Sequence, residues 1–354
     1  MGLKILHTAD WHLDSPFGNF SGAQREYLKT EQRRLPQKIA DLCRRENCDM
    51  MLLAGDIFDG QPTRETVELV KQALKSTGVP VLIAPGNHDF CSAEGVWKQE
   101  VWPENVFVFT RGLESVTISD LNCRIYGAGY QAMDCPGLLE NFQAEGSERY
   151  KIAVLHGDPI QTSSPYCPVT ASQVRQSGLS YLAMGHVHKA GAFRAGSTLC
   201  AWPGCPMGRG WDETGSKGVC IVTLEESAQV QAVSLDTPRF HDLQTEADGD
   251  GREALEILLP GAGNQDFYRI ALTGSGCVSV PDLLKQFSRF PNLQLIDKTD
   301  APVDIWAEAD EDSLEGIYFG MLRSAMENTP EHAEQILLAA EISRKILTGR
   351  EVIL

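Results

Sequence analysis

Five short segments of this chain gather the residue types that bind metal ions and move protons. They are Asp10-Trp-His12, Gly55-Asp-Ile-Phe-Asp59, Gly86-Asn-His-Asp89, His156-Gly-Asp158 and Gly185-His-Val-His188. Of the eight histidines, five fall inside these segments, a clustering that chance placement does not explain. Imidazole nitrogen and carboxylate oxygen together select divalent ions of the manganese, iron and zinc group, whereas magnesium or calcium alone calls for nearly all oxygen. The single-residue gaps in Asp10-x-His12 and His186-x-His188 put each pair on one face of an extended segment. Asp56 has two oxygens with which to bridge a pair of ions, and Asn87 offers a carbonyl oxygen without adding charge. His7 sits inside a predicted strand and reads as a core or supporting residue; His241 and His332 read as structural.

Each segment directly follows a predicted strand. Apolar runs predict strands over residues 4–8, 49–54, 79–84, 124–126, 151–155, 181–184 and 218–224, with helices over 24–47 and 63–76. Loops at one edge of a sheet converge, so side chains far apart in sequence can surround one point. The alternation of strand and helix predicts an α/β fold with two sheets packed between helices. Near residues 236–251 the chain turns polar, with Asp248-Gly-Asp-Gly251 as a breaker. Beyond it come a strand over 267–273, a helix over 280–290, a strand over 293–297 and a final helix over 330–347. The expected domains are 1–240, catalytic, and 241–354, a small α/β accessory or cap module.

The 354 residues carry a net charge of −17, which argues against a naked electrostatic grip on nucleic acid. Residues 241–354 account for −12 of it and residues 1–240 for only −5. No apolar run approaches the roughly 20 residues of a membrane-spanning helix. The opening residues read as a strand rather than a secretion signal, and the ten cysteines contain no C-x-x-C pair, so a reduced cytoplasmic protein is expected. Cys200 and Cys205 lack a second pair with which to complete a zinc site.

Taken in order, Asp-x-His, Gly-Asp-x-x-Asp, Gly-Asn-His-Asp, His and Gly-His-x-His resemble the signature of the calcineurin-like metallophosphoesterases. The run His7-Thr-Ala-Asp-Trp-His-Leu13 and the stretch from Trp202 to Glu213, with Lys217-Gly218 after it, resemble that superfamily's DNA-repair branch, which contains the SbcD-type nucleases. The resemblance covers residues 3–240 and is loose beyond. It implies a four-layer α/β/β/α sandwich and a dinuclear centre of two divalent ions, manganese first and iron or zinc as alternatives. Asp10, His12 and His188 would hold one ion, Asn87, His156 and His186 the other, and Asp56 would bridge them. His88 would serve as the acid assisting the leaving group, with Asp89 orienting its ring. Asp59 stands where some relatives carry a further histidine. The implied partners are DNA and a coiled-coil ATPase of the SbcC type; a homodimer is also open.

The reaction class does not fix the substrate. A metal-dependent DNA exonuclease or endonuclease, a phosphodiesterase or phosphatase on a small nucleotide, and a non-catalytic metal-bearing scaffold all remain open. Basic residues Arg25, Lys29, Arg33, Arg34, Lys38, Arg44 and Arg45 suit a DNA contact or a plain solvated helix face. Trp11, Phe17, Phe20, Phe58 and Phe90 suit base stacking or the core. The apolar residues of the last helix (Ile336, Leu337, Ala340, Ile342, Ile346, Leu347) are expected to cover their own domain, with partner docking as the alternative.

Overall fold

The computed structural model describes residues 2–300, 305–306 and 309–347. Two compact units divide the chain, Met1–Phe240 and His241–Leu354.

The first unit opens with β1 (Leu3–Thr8), α1 (Gly22–Arg45), β2 (Met50–Leu53), α2 (Arg64–Ser76), β3 (Val81–Ile83), the single turn α3 (Val96–Gln99) and β4 (Val106–Val108). A second series follows: β5 (Glu114–Ile118), β6 (Cys123–Gly127), β7 (Tyr150–His156), α4 (Ala171–Gln176), β8 (Tyr181–Gly185), β9 (Gly191–Ala195) and β10 (Thr198–Trp202). The chain then returns to the first sheet with β11 (Gly218–Leu224) and β12 (Ala228–Ser234). One sheet runs β12-β11-β1-β2-β3-β4 and the other β5-β6-β7-β8-β10-β9.

The strands read as unbroken apolar runs because both of their faces are covered. Ile5, Met50, Leu52 and Leu82 of the first sheet meet Ile125, Ile152, Val154, Tyr181 and Ala183 of the second in one shared core. Leu28, Leu35 and Ile39 of α1 and Val67, Val70 and Leu74 of α2 are buried on the helical side. Behind the second sheet, Leu155, Leu182 and Met184 pack with Val174 of α4 and with loop residues Leu139 and Val169. This is the expected α/β sandwich, its second outer layer built as much from loop as from helix.

Strand direction sets the position of the site. β1, β2 and β3 are parallel in register, as are β7 and β8. Their carboxyl ends therefore release Asp10, Asp56, Asn87, His156 and His186 at neighbouring sheet edges. His7 lies fully buried, its Nδ1 2.8 Å from the Tyr181 hydroxyl and its Nε2 3.0 Å from the Met184 carbonyl, which makes it a tie between the sheets.

In the second unit, β13 (Phe240–Glu246), α5 (Arg252–Leu258), β14 (Phe267–Thr273), α6 (Val280–Gln286) and β15 (Leu293–Asp297) build a sheet of order β13-β14-β15. Leu255, Ile270, Leu272, Leu283 and Phe287 form its core. Two helices follow, α7 (Leu314–Asn328) and α8 (Ala333–Leu347), the latter preceded by a 3-10 turn at Pro330–His332. The sequence pattern missed α7. It also assigned α8's apolar residues to its own domain, and here the structure differs. Ala340 is buried with Phe319, but Leu337, Leu338, Ile346 and Leu347 are exposed.

Candidate metal centre

Four of the site residues hold left-handed backbone, Asp10 (φ 54°), His12 (φ 46°), Asp56 (φ 51°) and His186 (φ 89°). Such conformations cost on the order of 1–3 kcal/mol each and persist where the surroundings over-determine them. Here they do. Asp10 and His12 donate their amides to the Gly55 and Asp56 carbonyls at 3.0 and 2.9 Å. The Asp10 carboxylate in turn accepts the His186 amide at 3.0 and 3.1 Å. The motif glycines are steric necessities. A Cβ on Gly86 would lie 2.2 Å from Asp56 Oδ1, and Gly55, at φ 88°, would place one 2.4 Å from the His156 ring.

The side chains converge in three donor groups whose ligand atoms lie within 4.8 Å of one another: Asp10, His12 and His188; His12, Asp56 and His88; Asp10, Asp56 and His156. Asp56 sits between the two halves, Oδ2 being 3.7 Å from His12 Nε2 and 3.4 Å from His156 Nε2. Asn87 Oδ1 is 2.9 Å from the same His156 Nε2. His186 stands one ring away, its centroid 5.2 Å from that of His156 and 4.8 Å from that of Tyr166.

Hydrogen-bond accounting tests whether cations fit. His156 Nδ1 lies 2.8 Å from the Ala54 carbonyl and must donate to it, so in the neutral ring Nε2 carries a lone pair. That lone pair faces Asn87 Oδ1 and Asp56 Oδ2, so three electron-rich atoms meet with no donor among them. His188 Nδ1 likewise donates to Glu213 Oε1 at 2.6 Å, which turns its Nε2 lone pair toward His12 Nε2 at 3.1 Å. Two points of converging lone pairs, joined by Asp56, suit two divalent ions.

Without ions, a proton on His156 stands in for a cation. Burial disfavours charge on His156, yet the neighbouring Asp56 carboxylate outweighs it and raises the ring to about 9. Burial also works against an ionised Asp56, but His156, His12 and His88 together hold it below the ordinary carboxylate range. His186, buried and beside His156, is driven down to about 4 and stays neutral, the state a ligand needs.

Asp89 does not orient His88, contrary to expectation. Its carboxylate clamps backbone, accepting from Ile57 and Phe58 at 2.8 and 3.2 Å and from Gly86 at 2.8 Å. Buried there, and near the Asp56 charge, it rises to about 7. The partner of His88 is Asp59, whose Oδ1 lies 2.9 Å from His88 Nδ1 while Oδ2 accepts from Ser15. The pairing raises His88, while His12 first and His88 second lower Asp59. The resemblance pointed to Asp89, but the loop after β3 turns that carboxylate inward onto backbone amides. Asp158 also serves backbone, capping Ile160 and Gln161 at 2.8 Å each.

Two further residues of the site lie in the stretch from Trp202 to Glu213, which the sequence reading matched to the family branch without giving either a role. Glu213, 5% exposed, holds His188, and Arg209 Nη2 donates to the same Glu213 oxygen at 3.1 Å. Of the basic residues offered for DNA, Arg34 and Lys38 pair with Glu31, Arg44 with Asp41, Arg33 lies 4.0 Å from Glu65, and Arg25 donates to the Phe20 carbonyl. Trp11, Phe17, Phe20 and Phe58 are buried in the core. Cys200 and Cys205 are buried as free thiols.

Residues 3–190, more than half of the chain, match the family model of the calcineurin-like phosphoesterases. The chain belongs to that family. Calcineurin-like phosphoesterases hydrolyse phosphoester bonds at a dinuclear centre of divalent ions, and this chain carries an Asp/His cluster of that kind. It is 32% identical over 258 residues to the uncharacterized metallophosphoesterase YhaO of Bacillus subtilis; the aligned stretch is 68% of this chain and 61% of that relative's own length. It is 20% identical over 380 residues to SbcD, the D component of the SbcCD nuclease of Staphylococcus epidermidis, covering 94% of this chain and 96% of that one. Among solved structures, a dimetal phosphatase from Danio rerio matches at 15% identity and a TM-score of 0.39, over 66% of this chain and 99% of that one. Among the described residues no helix is long and apolar enough to cross a membrane.

Proposed function

We propose that this calcineurin-like phosphoesterase is a nuclease that hydrolyses phosphodiester bonds of DNA. The observation carrying the reading is the likeness to SbcD of the SbcCD nuclease, which runs through both units rather than the catalytic unit alone. The site suits a bulky substrate, since the His88 side chain is 42% exposed and that of His188 29%.

In this reading Asp10, His12 and His188 would hold one ion, Asn87, His156 and His186 the other, and Asp56 would contribute to both. Two divalent ions, manganese by preference, would supply Lewis-acid activation of water and ester near neutral pH. The chain's own residues do the rest. His88, raised by Asp59, carries a proton at its exposed edge for delivery to the departing sugar oxygen. Asp59 fixes the ring through Nδ1, leaving Nε2 as the delivering atom. Asp89 and the left-handed turns keep the donors rigid, so no reorganisation is needed as charge develops.

The same reading makes α7 and α8, with their exposed Leu314, Met321, Leu338 and Ile346, the surface for a coiled-coil ATPase of the SbcC type. A small-nucleotide phosphodiesterase is the second reading, favoured by the net charge of −17 and by the pairing of the α1 cations with acids and carbonyls. The deciding experiment incubates the manganese-loaded protein with labelled single- and double-stranded DNA, cyclic nucleotides and a chromogenic diester. Degradation of DNA is expected. Turnover of cyclic nucleotides with DNA left intact would replace this reading by the second.

A further inference from the structure

Arg209 sits in the loop between β10 and β11, with its side chain 24% exposed. Glu213 fixes it at two points, taking the Arg209 amide on Oε2 at 2.7 Å and Nη2 on Oε1 at 3.1 Å. A tight turn supports the pair: the Glu213 amide donates to the Gly210 carbonyl, and a Cβ on Gly208 would strike the Glu213 carbonyl at 2.6 Å. On its other side, Nη1 lies 4.0 Å from Asp59 Oδ2, beyond a direct hydrogen bond. The guanidinium thus spans two shoulders of the centre, Glu213 behind His188 and Asp59 behind His88, and its charge is felt at His12, His88 and His188.

Its donors are not used up. A guanidinium carries five N–H groups. One is spent on Glu213, and Nε is buried without a partner. The contact from Nη2 to His188 Nδ1 at 3.4 Å uses none, because that nitrogen already donates to Glu213. Nη1, 4.0 Å from Asp59, makes no hydrogen bond, and an open edge of a planar fork beside a phosphoesterase centre suits phosphate oxygens.

We propose that Arg209 binds an anionic phosphate oxygen of the substrate on the His88 side of the centre, with Glu213 holding it in place. The assignment rests on the phosphoesterase reading of the site, and it makes Arg209 a substrate-binding residue rather than a surface cation.

The test compares wild type, Arg209→Ala and Arg209→Lys, all manganese-loaded, on the chromogenic diester and with inorganic phosphate as competitive inhibitor. Manganese affinity is measured separately by titration calorimetry. In Arg209→Ala, KM and the phosphate inhibition constant should both rise roughly 10- to 100-fold, the loss of a charge-assisted hydrogen bond. Manganese affinity should stay within about twofold, and Arg209→Lys should recover only part of the loss, lacking the fork. Unchanged phosphate inhibition in Arg209→Ala overturns the proposal while leaving the phosphoesterase reading intact. Parallel loss of manganese also overturns it, by making Arg209 a prop for His188. A wild type that neither turns over the diester nor binds phosphate removes the parent reading, and this one with it. Thermal unfolding of Arg209→Lys checks that the fold is intact.

Discussion

In Met1–Phe240, polar side chains are buried at a sheet edge: Asp10, His12, Asp56 and His156 are each no more than 2% exposed. In His241–Leu354 the imbalance runs the other way, with apolar Leu314, Ile317, Met321, Leu338 and Ile346 all more than half exposed on two helices. Neither arrangement helps its unit to fold. Buried polar groups without donors cost free energy, and so does exposed hydrocarbon. In the reading proposed above, cations would make good the first deficit and a covering apolar surface the second.

The largest effect should come from breaking the ionic side of this contrast at its centre. Asp56→Asn removes the carboxylate that faces both His12 and His156, and metal-dependent hydrolysis of a chromogenic diester should fall at least about 10³-fold. Chelation of the wild type should lower its thermal midpoint, because bound ions stabilise only the folded state. In the variant that shift should shrink or vanish. Full activity in Asp56→Asn would remove the centre as described.

His88→Gln should leave manganese affinity near wild type while kcat falls roughly 10²- to 10⁴-fold, the range of a lost general acid. Asp59→Asn tests the corrected pairing. It should lower the upper limb of the kcat–pH profile, since a His88 deprived of its carboxylate loses its proton at lower pH. If the profile stays fixed, Asp59 is not the partner that matters.

Glu213→Gln should weaken manganese binding roughly 10- to 100-fold, read by calorimetry, because a metal-bound imidazole is oriented by the group on its other nitrogen. Unchanged affinity would make the 2.6 Å contact to His188 incidental.

These residues mark how far the chain could be read in advance. Nine strands and the first two helices were legible because covered strands are continuous apolar runs and α1 and α2 have one clean buried face. The motif residues were legible because each glycine sits where a side chain would collide, so type and spacing are bound together. Glu213 was not, because its contact to His188 spans 25 residues through a loop with no periodicity. The stretch from Trp202 to Glu213 was singled out as a resemblance to the family branch, but nothing in it pointed to His188. Asp59 was not read as the partner of His88, because the resemblance implied Asp89 and the reach from Asp59 to that ring depends on the fold. α7 escaped because Leu314, Ile317, Tyr318 and Met321 face outward, leaving little buried stripe to detect.

A smaller effect belongs to His7, the buried tie between the sheets. Burial pushes it down to about 3, whereas an unfolded chain leaves it near 6.5. Between those values the unfolded state holds more protons, so stability is full above about 6.5 and declines as the pH falls toward 3. At pH 5 the metal-free protein should have lost about 2 kcal/mol from this group, relative to pH 7. His7→Gln should flatten the dependence of the urea midpoint on pH. A variant as acid-sensitive as wild type would place the titration elsewhere, with His12 and His186, also lowered, as the next groups to test.

The smallest effect tests the other side of the contrast. Leu338 is 56% exposed on α8, so Leu338→Glu removes little burial and should change stability by no more than about 0.5 kcal/mol. Diester turnover should be unchanged, because the side chain takes no part in the centre. If α8 is instead completed by an apolar partner, the same substitution should abolish that association, read by co-purification with a candidate ATPase, since it buries a charge opposite hydrocarbon. A clear loss of stability in the isolated protein would mean that α8 already packs against its own chain through Leu338. The apolar deficit assigned to the second unit would then not exist.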